Sequence, residues 1–463
     1  MTPRLPTSLA VLLALSPGAC QPGSPFDPAT DFIVVGVHVW DGTGTPPSEL
    51  AVVQISEARI LSVDPVFGDA AGSPDPVDTI AVLAGLLTDA NDTGIGGHMV
   101  LGAYLIPGLI NTHGHVGGTW VPGSGVEYGE YMFNELQRYA RFGVTTVNSL
   151  GGDRELSFAL RDASWRGDAE EAAGDAGDER PPPRARLLVA GPVVTGLTPG
   201  EVADMVDRVA AMNPDWIKIR VDDNLGATTK MSPETYAAVI ARSREHGLQV
   251  ASHLFYQEDA KGLLRAGTGM VAHSIRDEAV DDETIALFRE TGVCYVPTLT
   301  REVSTFAYGD RPDFFDDPFL MSDVDSAQFA AVSDPARQER VRASGAAEAY
   351  GRALEIAQAN LARLSEVGVA IAFGTDSGPL GRFQGYFEHM EMELMAEAGL
   401  TPEQILRSAT GVAAECLGRD DIGTVEPGRR ADFVIVGGNP LEDVRNLREI
   451  VGVWVGGVEV EGR

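Results

Sequence analysis

From residue 105 to about 419, short apolar runs alternate with longer stretches that repeat apolar residues at helical spacing. Leu109–Ile110, TTVNSL (145–150), RLLVAG (186–191), DWIKIR (215–220), LQVASH (248–253), MVAHS (270–274), VCYVPTL (293–299) and VAIAFGTD (369–376) are the short runs. Their length and near-continuous apolarity predict strands buried on both faces, the form parallel strands take when helices cover both sides. Helices are expected between them, over Glu127–Phe142, Asp153–Trp165 and Val202–Met212, and from Ser232-Pro233 to Gly247, where a serine cap and a first-turn proline mark the start. A long helix is expected to run to Val367, with two more at Tyr386–Ala398 and from Thr401-Pro402-Glu403. Eight strand–helix repeats over this span predict an α/β protein built as a (β/α)8 TIM barrel, whose functional residues sit where the strands end.

Outside this span the pattern changes to alternation. FIVVGVHVW (32–40), AVVQISEARILSV (51–63), ADFVIV (431–436) and VGVWVGGVEVEG (451–462) read as short strands separated by turn residues. Neither chain end can bury a sheet face alone, so both are expected to combine, 31–104 with 420–463, into one small β-sandwich beside a 105–419 barrel. Residues 64–98, rich in Gly, Asp and Pro, are expected to include a variable loop, and 166–184 an acidic mobile insertion. Residues 300–340 carry Phe306, Tyr308, Phe314, Phe315 and Phe319 and are expected to be an ordered lid or a contact between two copies.

At the start of the chain, Arg4 precedes the apolar core LAVLLAL (9–15) and small residues before Cys20. This is the pattern of an export signal over residues 1–20, followed by a tether over 21–30. Cys20 directly after Gly18-Ala19 points to lipidation, although Pro17 stands where a lipoprotein signal usually has leucine. The expected location is therefore the periplasm, or the outer membrane through a lipid anchor on Cys20. Cys294 and Cys416, the remaining two of three cysteines, sit in apolar surroundings and read as small buried hydrophobes. The 463 residues carry 67 acidic and 35 basic side chains, a net charge of −32. So negative a surface repels nucleic acid and anionic lipid, which leaves a small molecule as the expected partner and a homo-oligomer as an open alternative.

The candidate chemistry starts at YLIPGLINTHGH (104–115). His113 and His115 lie two apart at a strand end, so their imidazoles face one side, as ligands of one metal ion do. Histidines also occur in pairs by accident, so the pair alone leaves the question open. PGLINTHGH resembles the motif that opens the barrel of the amidohydrolase superfamily, in particular its imidazolonepropionase-like and Xaa-Pro dipeptidase-like members with a carboxylated lysine. That family follows the pair with a lysine, two histidines and an aspartate at later strand ends. Lys218, His253, His273 and Asp376 stand in that order here. One departure is Asn111, where the family usually has aspartate.

The resemblance implies two divalent ions, zinc first, with Mn, Fe or Co suited to similar ligands. His113, His115, Lys218 and Asp376 would hold one, and Lys218, His253 and His273 the other. Lys218 would bridge as N6-carboxylysine, because an ammonium cannot ligate a metal. Asp376 would be the catalytic carboxylate, moving a proton to the leaving amine. The implied reaction is hydrolysis of an amide- or peptide-type carbon–nitrogen bond. Alternatives are a mononuclear deaminase of cyclic amidines or nucleobases, a lactone or ester hydrolase, and a non-catalytic metal-dependent binding lipoprotein. Deaminases of this family carry a glutamate where Tyr256 stands and do not need Lys218, which favours hydrolysis. Arg220, Arg276 and Arg301 follow strand ends and, with Tyr256, are candidates to hold a substrate carboxylate; a dipeptide or N-acyl amino acid would supply one. Ion pairs with nearby Asp and Glu are the competing explanation for those arginines.

Overall fold

The computed structural model describes residues 13–14, 31–67, 76–92, 95–165 and 181–462. Cys20, the rest of the expected signal and tether, and the acidic insertion as far as residue 180 lie outside the described residues. The parallel strands form as expected. Leu109–Gly114, Val144–Ser149 and Arg186–Val189 pair side by side, and every residue in them is buried. Ile217–Val221, Val250–Leu254, Met270–Ala272 and Cys294–Val296 make a second parallel set. A lone bridge, Val194 to Ile219, links the two sets, and bridges Tyr295–Ile371 and Gly114–Ser377 tie residues 371–377 to both outer strands.

This last segment differs from the expected eighth strand. It is extended but held by isolated contacts, with Thr112 N donating to Phe373 O, and Thr375 N and Asp376 N both turning to His113 O. Asp376 also takes a left-handed backbone, φ +57, which ends regular pairing. Helices connect the strands and begin at side-chain caps. Thr198 accepts from Glu201 N before Pro199–Ala210, Ser232 from Thr235 N before Pro233–Glu245, and Asp281 from Thr284 N before Asp282–Thr291. Each such cap is worth about 1 kcal/mol, and together they fix where the connecting helices begin.

Both chain ends meet in one mixed sheet. Phe32–Val39 pairs antiparallel with Leu50–Ser56 and parallel with Gly96–Met99 and Tyr104–Pro107. Tyr104–Pro107 then pairs antiparallel with Phe433–Val436, which continues to Ile450–Val455. Phe433 stacks on Trp454 at 4.9 Å in the apolar layer shared with Phe32, Val34, Val53 and Leu105. Because Tyr104–Pro107 serves both ends, the described strands run as one connected ladder, where a two-layer sandwich was expected.

One expectation, that of the two cysteines, needs correction, and two other regions carry structure that the pattern did not reveal. Residues 64–98 contain a helix, Pro76–Asp92, and the strand Gly96–Met99. Leu83, Leu87 and Ala90 follow helical spacing and bury against Ile33 and Val35, a stripe hidden by the flanking Gly, Asp and Pro. Cys294 and Cys416 are not separate hydrophobes; they form a disulfide with Cα atoms 6.1 Å apart. The pairing joins a strand start to the end of helix Gly411–Cys416 across 122 residues, which no local pattern reveals. Residues 300–340 are ordered, as expected, but their aromatic side chains are used inside the chain. Tyr308 and Phe315 pack with Phe383, Tyr386 and Phe387, and Tyr386 begins the helix Tyr386–Glu397.

Candidate metal centre

The strand ends bring the six predicted side chains into one cluster. His115 Nε2 lies 2.8 Å and His113 Nε2 3.6 Å from Asp376 Oδ1. Lys218 Nζ is 3.1 Å from His113 Nε2. His273 Nε2 is 4.0 Å from Asp376 Oδ2, its ring 4.5 Å from that of His113 and 4.1 Å from that of His253. One ligand atom from each of His113, His115 and Asp376 falls within 4.8 Å of the others, so these three can hold a metal ion.

The surrounding backbone lets the segments come this close. A Cβ on Gly374 would stand 2.9 Å from His113 Cβ, and one on Gly378 only 2.3 Å from His115 O. Neither position has room for a side chain. His273 and Asp376 both take positive φ, +122 and +57. Such conformations cost on the order of 1–3 kcal/mol each in a non-glycine residue and persist only when the surroundings enforce them.

Electrostatics decides the protonation states. Burial pushes the Lys218 amine down to about 7, against the opposing pull of Asp376, so a substantial neutral fraction exists at neutral pH. Burial likewise lowers His253 to about 3, although Asp222 opposes it, and holds His113 and His273 well below the usual imidazole range. Neutral imidazole is the ligating form. Burial by itself would raise the Asp376 carboxyl; the Arg382 guanidinium and the His115 hydrogen bond outweigh it and keep the group well below the carboxylate range.

The donor set fits a cation. His115 Nδ1 faces Gly151 O at 3.0 Å while its Nε2 faces the Asp376 carboxylate, so both ring nitrogens look at acceptors. With Nδ1–H on the carbonyl, Nε2 is left beside the carboxylate, the arrangement in which the two can share a cation. His273 Nδ1 is bound by Thr298 Oγ1 at 2.7 Å and His253 Nε2 by Asp222 Oδ2 at 2.9 Å, which leaves the other nitrogen of each ring as a lone-pair donor. The partner-on-one-nitrogen pattern is the one that orients metal-bound histidines.

Asp222, Thr298 and Arg382 were not singled out from sequence as parts of the site. Asn111, noted as a departure, proves well supported. Its amide donates to Thr375 Oγ1 at 2.9 Å and to Glu388 Oε1 at 2.7 Å, and its oxygen accepts from His113 N at 3.0 Å. Glu388 supplies the buried carboxylate, so an amide at 111 is its complement. The expected substrate arginines are less well placed. Arg276 is wholly buried beneath the cluster, donating to Leu254 O and Ser274 O, with Nε 3.0 Å from Glu302. Arg301 also pairs with Glu302, at 3.0 Å, and lies over the Tyr350 ring. Both are committed to Glu302, so ion pairing, the competing explanation, accounts for these two arginines. Arg220, with a side chain 42% exposed, reaches Asn224 at the rim, and the Tyr256 hydroxyl donates to Asp223 at 2.8 Å. His389, expected to be structural, faces the Phe142 carbonyl.

Residues 104–460 match the model of the amidohydrolase family, and the chain belongs to that family. An imidazolonepropionase of Cutibacterium acnes is 44% identical over 72 residues, 16% of this chain and 18% of that protein. An ochratoxinase of Aspergillus niger is 25% identical over 247 residues, 52% of this chain and 44% of that enzyme. The chain thus aligns with less than half the length of either protein. A Xaa-Pro dipeptidase crystallised with methionine in its active site shares the fold with a TM-score of 0.64 at 20% identity, over 94% of this chain and all of that one.

Proposed function

We propose that this protein is an exported, binuclear metal-dependent hydrolase on a (β/α)8 barrel flanked by a β-sheet that both chain ends build. Its reaction is hydrolysis of an amide- or peptide-type carbon–nitrogen bond in a small carboxylate-bearing substrate, such as a dipeptide or N-acyl amino acid. The observation that carries the reading is the convergence of four imidazoles, Lys218 and Asp376. The closing bridges at 114–377, 194–219 and 295–371 support the barrel. The imidazolonepropionase, ochratoxinase and dipeptidase similarities support the bond type.

In this reading His113, His115, Lys218 and Asp376 would hold one ion, and Lys218, His253 and His273 the other, with zinc the first choice. Lys218 would serve as its carbamate, formed from the neutral amine that burial favours. Bound divalent ions supply Lewis acidity toward a carbonyl and acidify water. The chain's own groups do the rest. Gly151 O, Asp222 and Thr298 fix three imidazole rings, and Asp376 takes a proton and returns it to the departing nitrogen. Lys218 beside His113 also disfavours a mononuclear deaminase, which has no use for that amine.

Export finds support in the Cys294–Cys416 disulfide, a bond that persists in oxidising compartments. The function is tested by a panel of dipeptides, N-acyl amino acids, lactones and cyclic ureas, with and without a chelator. Amide hydrolysis lost on chelation and restored by zinc is expected. Turnover indifferent to chelation, or confined to lactones, contradicts the reading.

A further inference from the structure

Four arginines lie around the cluster, and they differ in what their guanidinium groups have left to offer. Arg276 and Arg301 are committed to Glu302, and Arg220 stands at the exposed rim. Arg382 was not among the expected substrate residues. It sits in the loop between Asp376 and the helix Tyr386–Glu397. Its Nε donates to Ser304 Oγ at 2.9 Å, and its Nη1 donates to Asp376 Oδ2. Its Nη2 makes no hydrogen bond with any described residue, and the side chain keeps 16% of its surface open.

The loop that presents this group is built, not loose. Gly378 N donates to Arg382 O and Arg382 N to Pro379 O, both at 2.9 Å, and the Tyr308 hydroxyl donates to Gly381 O. Gly381 has φ +82, and a Cβ there would lie 2.7 Å from the Tyr308 ring. The guanidinium is therefore held at two of its nitrogens, beside Asp376, and no hydrogen bond uses the third.

We propose that Arg382 is the specificity-determining residue for an anionic substrate. Nη2 receives a carboxylate of the substrate while Nη1 stays on Asp376. The substrate acid is then one guanidinium's width from the carboxylate that handles the proton. This spacing suits an acid borne on the carbon next to the scissile nitrogen, so the departing amine is an α-amino acid. The inference rests on the hydrolase reading above and replaces Arg276 and Arg301 as the source of the carboxylate contact. A planar fork fixed at one edge discriminates carboxylate from amide in a way a lysine point charge cannot.

The test compares kcat and KM for matched pairs, an N-acyl amino acid and its C-terminal amide, in wild type, Arg382→Gln, Arg382→Lys and Arg220→Gln, with bound zinc measured in each. Wild type is expected to favour the acid. Arg382→Gln should lower kcat/KM for the acid about 10- to 100-fold, the scale of one charge-assisted hydrogen bond, mostly through KM. The amide should change only a few-fold and zinc content not at all. Arg382→Lys should recover part of the preference, and Arg220→Gln should keep it. Equal losses on acid and amide would make Arg382 a mere holder of Asp376 and overturn the proposal, as would loss of the preference in Arg220→Gln. A wild type active on neither member of any pair would instead remove the hydrolase reading, and this proposal with it.

Discussion

At one end of the parallel strands, four imidazoles, a lysine and an aspartate crowd together with little access to water. At the other end a disulfide, Trp216, Ala413 and Leu417 close the strands with apolar contacts. A cavity of about 800 Å³ opens there, lined by Trp216, Arg244, Cys294 and Cys416 among others, and it contains none of the six cluster residues. The segment beginning at Cys294 belongs to both ends. Cys294 is cross-linked at the apolar end, and four residues later Thr298 grips His273 at the polar one. The polar end carries desolvated charge and two residues at positive φ, features that cost stability. The apolar end carries a cross-link that adds it. Strain and buried charge gather where a protein does its chemistry, and the remainder of the fold must compensate.

The sharpest way to break this comparison is to remove charge at the polar end. Asp376→Asn should cut kcat roughly 10²- to 10⁴-fold, the scale of a proton-transfer group, while leaving the thermal midpoint nearly unchanged or raised. A variant that loses several kcal/mol of stability but keeps full specific activity would reverse the assignment of the two ends. Next in size is the cross-link. Cys294→Ala with Cys416→Ala should cost roughly 2–5 kcal/mol in denaturant unfolding, with kcat/KM of the folded enzyme unchanged. A loss of activity without a loss of stability would mean that the apolar end serves catalysis.

Smaller effects sharpen the boundary between the ends. Asp222→Ala and Thr298→Val should each weaken metal affinity about 10- to 100-fold, as measured in competition with a chelator, because a ring loses its orienting partner. The smallest effect is a pH dependence. Glu135 accepts from Gly117 N and Gln384 Nε2, so it ties the loops after His115 and Asp376 together. Burial raises its carboxyl from 4.5 to about 7, against those hydrogen bonds. The folded protein thus holds a proton that the unfolded chain releases. The contribution is fully present below about pH 4.5 and is lost as pH rises through about 7. Stability should fall by about 1 kcal/mol between pH 6 and 8, and Glu135→Gln should flatten that slope.

The polar end was far more legible in sequence than the apolar one, for a physical reason. His113, His115, Lys218, His253, His273 and Asp376 each close a short apolar run, so each announces a strand end and a reactive side chain together. Their partners do not. Thr298 and Asp222 are ordinary loop residues until the strands bring them to His273 and His253, and Glu388 makes sense of Asn111 only across 277 positions. Arg382 was missed because its target, Asp376, is six residues away in a loop whose course depends on contact with Tyr308. The Cys294–Cys416 pair went unread because both residues look like core hydrophobes locally. The segment 371–377 read as a full strand because its apolar residues are genuinely buried, though isolated bridges hold it.

The most direct test of the central claim is the metal content of the purified protein after equilibration with zinc and bicarbonate, wild type beside Lys218→Ala. The account predicts two equivalents in wild type and fewer than one tightly bound equivalent in the variant, because the bridge between the two sites is gone. Wild type that retains no metal, or a variant that retains both ions, would contradict it.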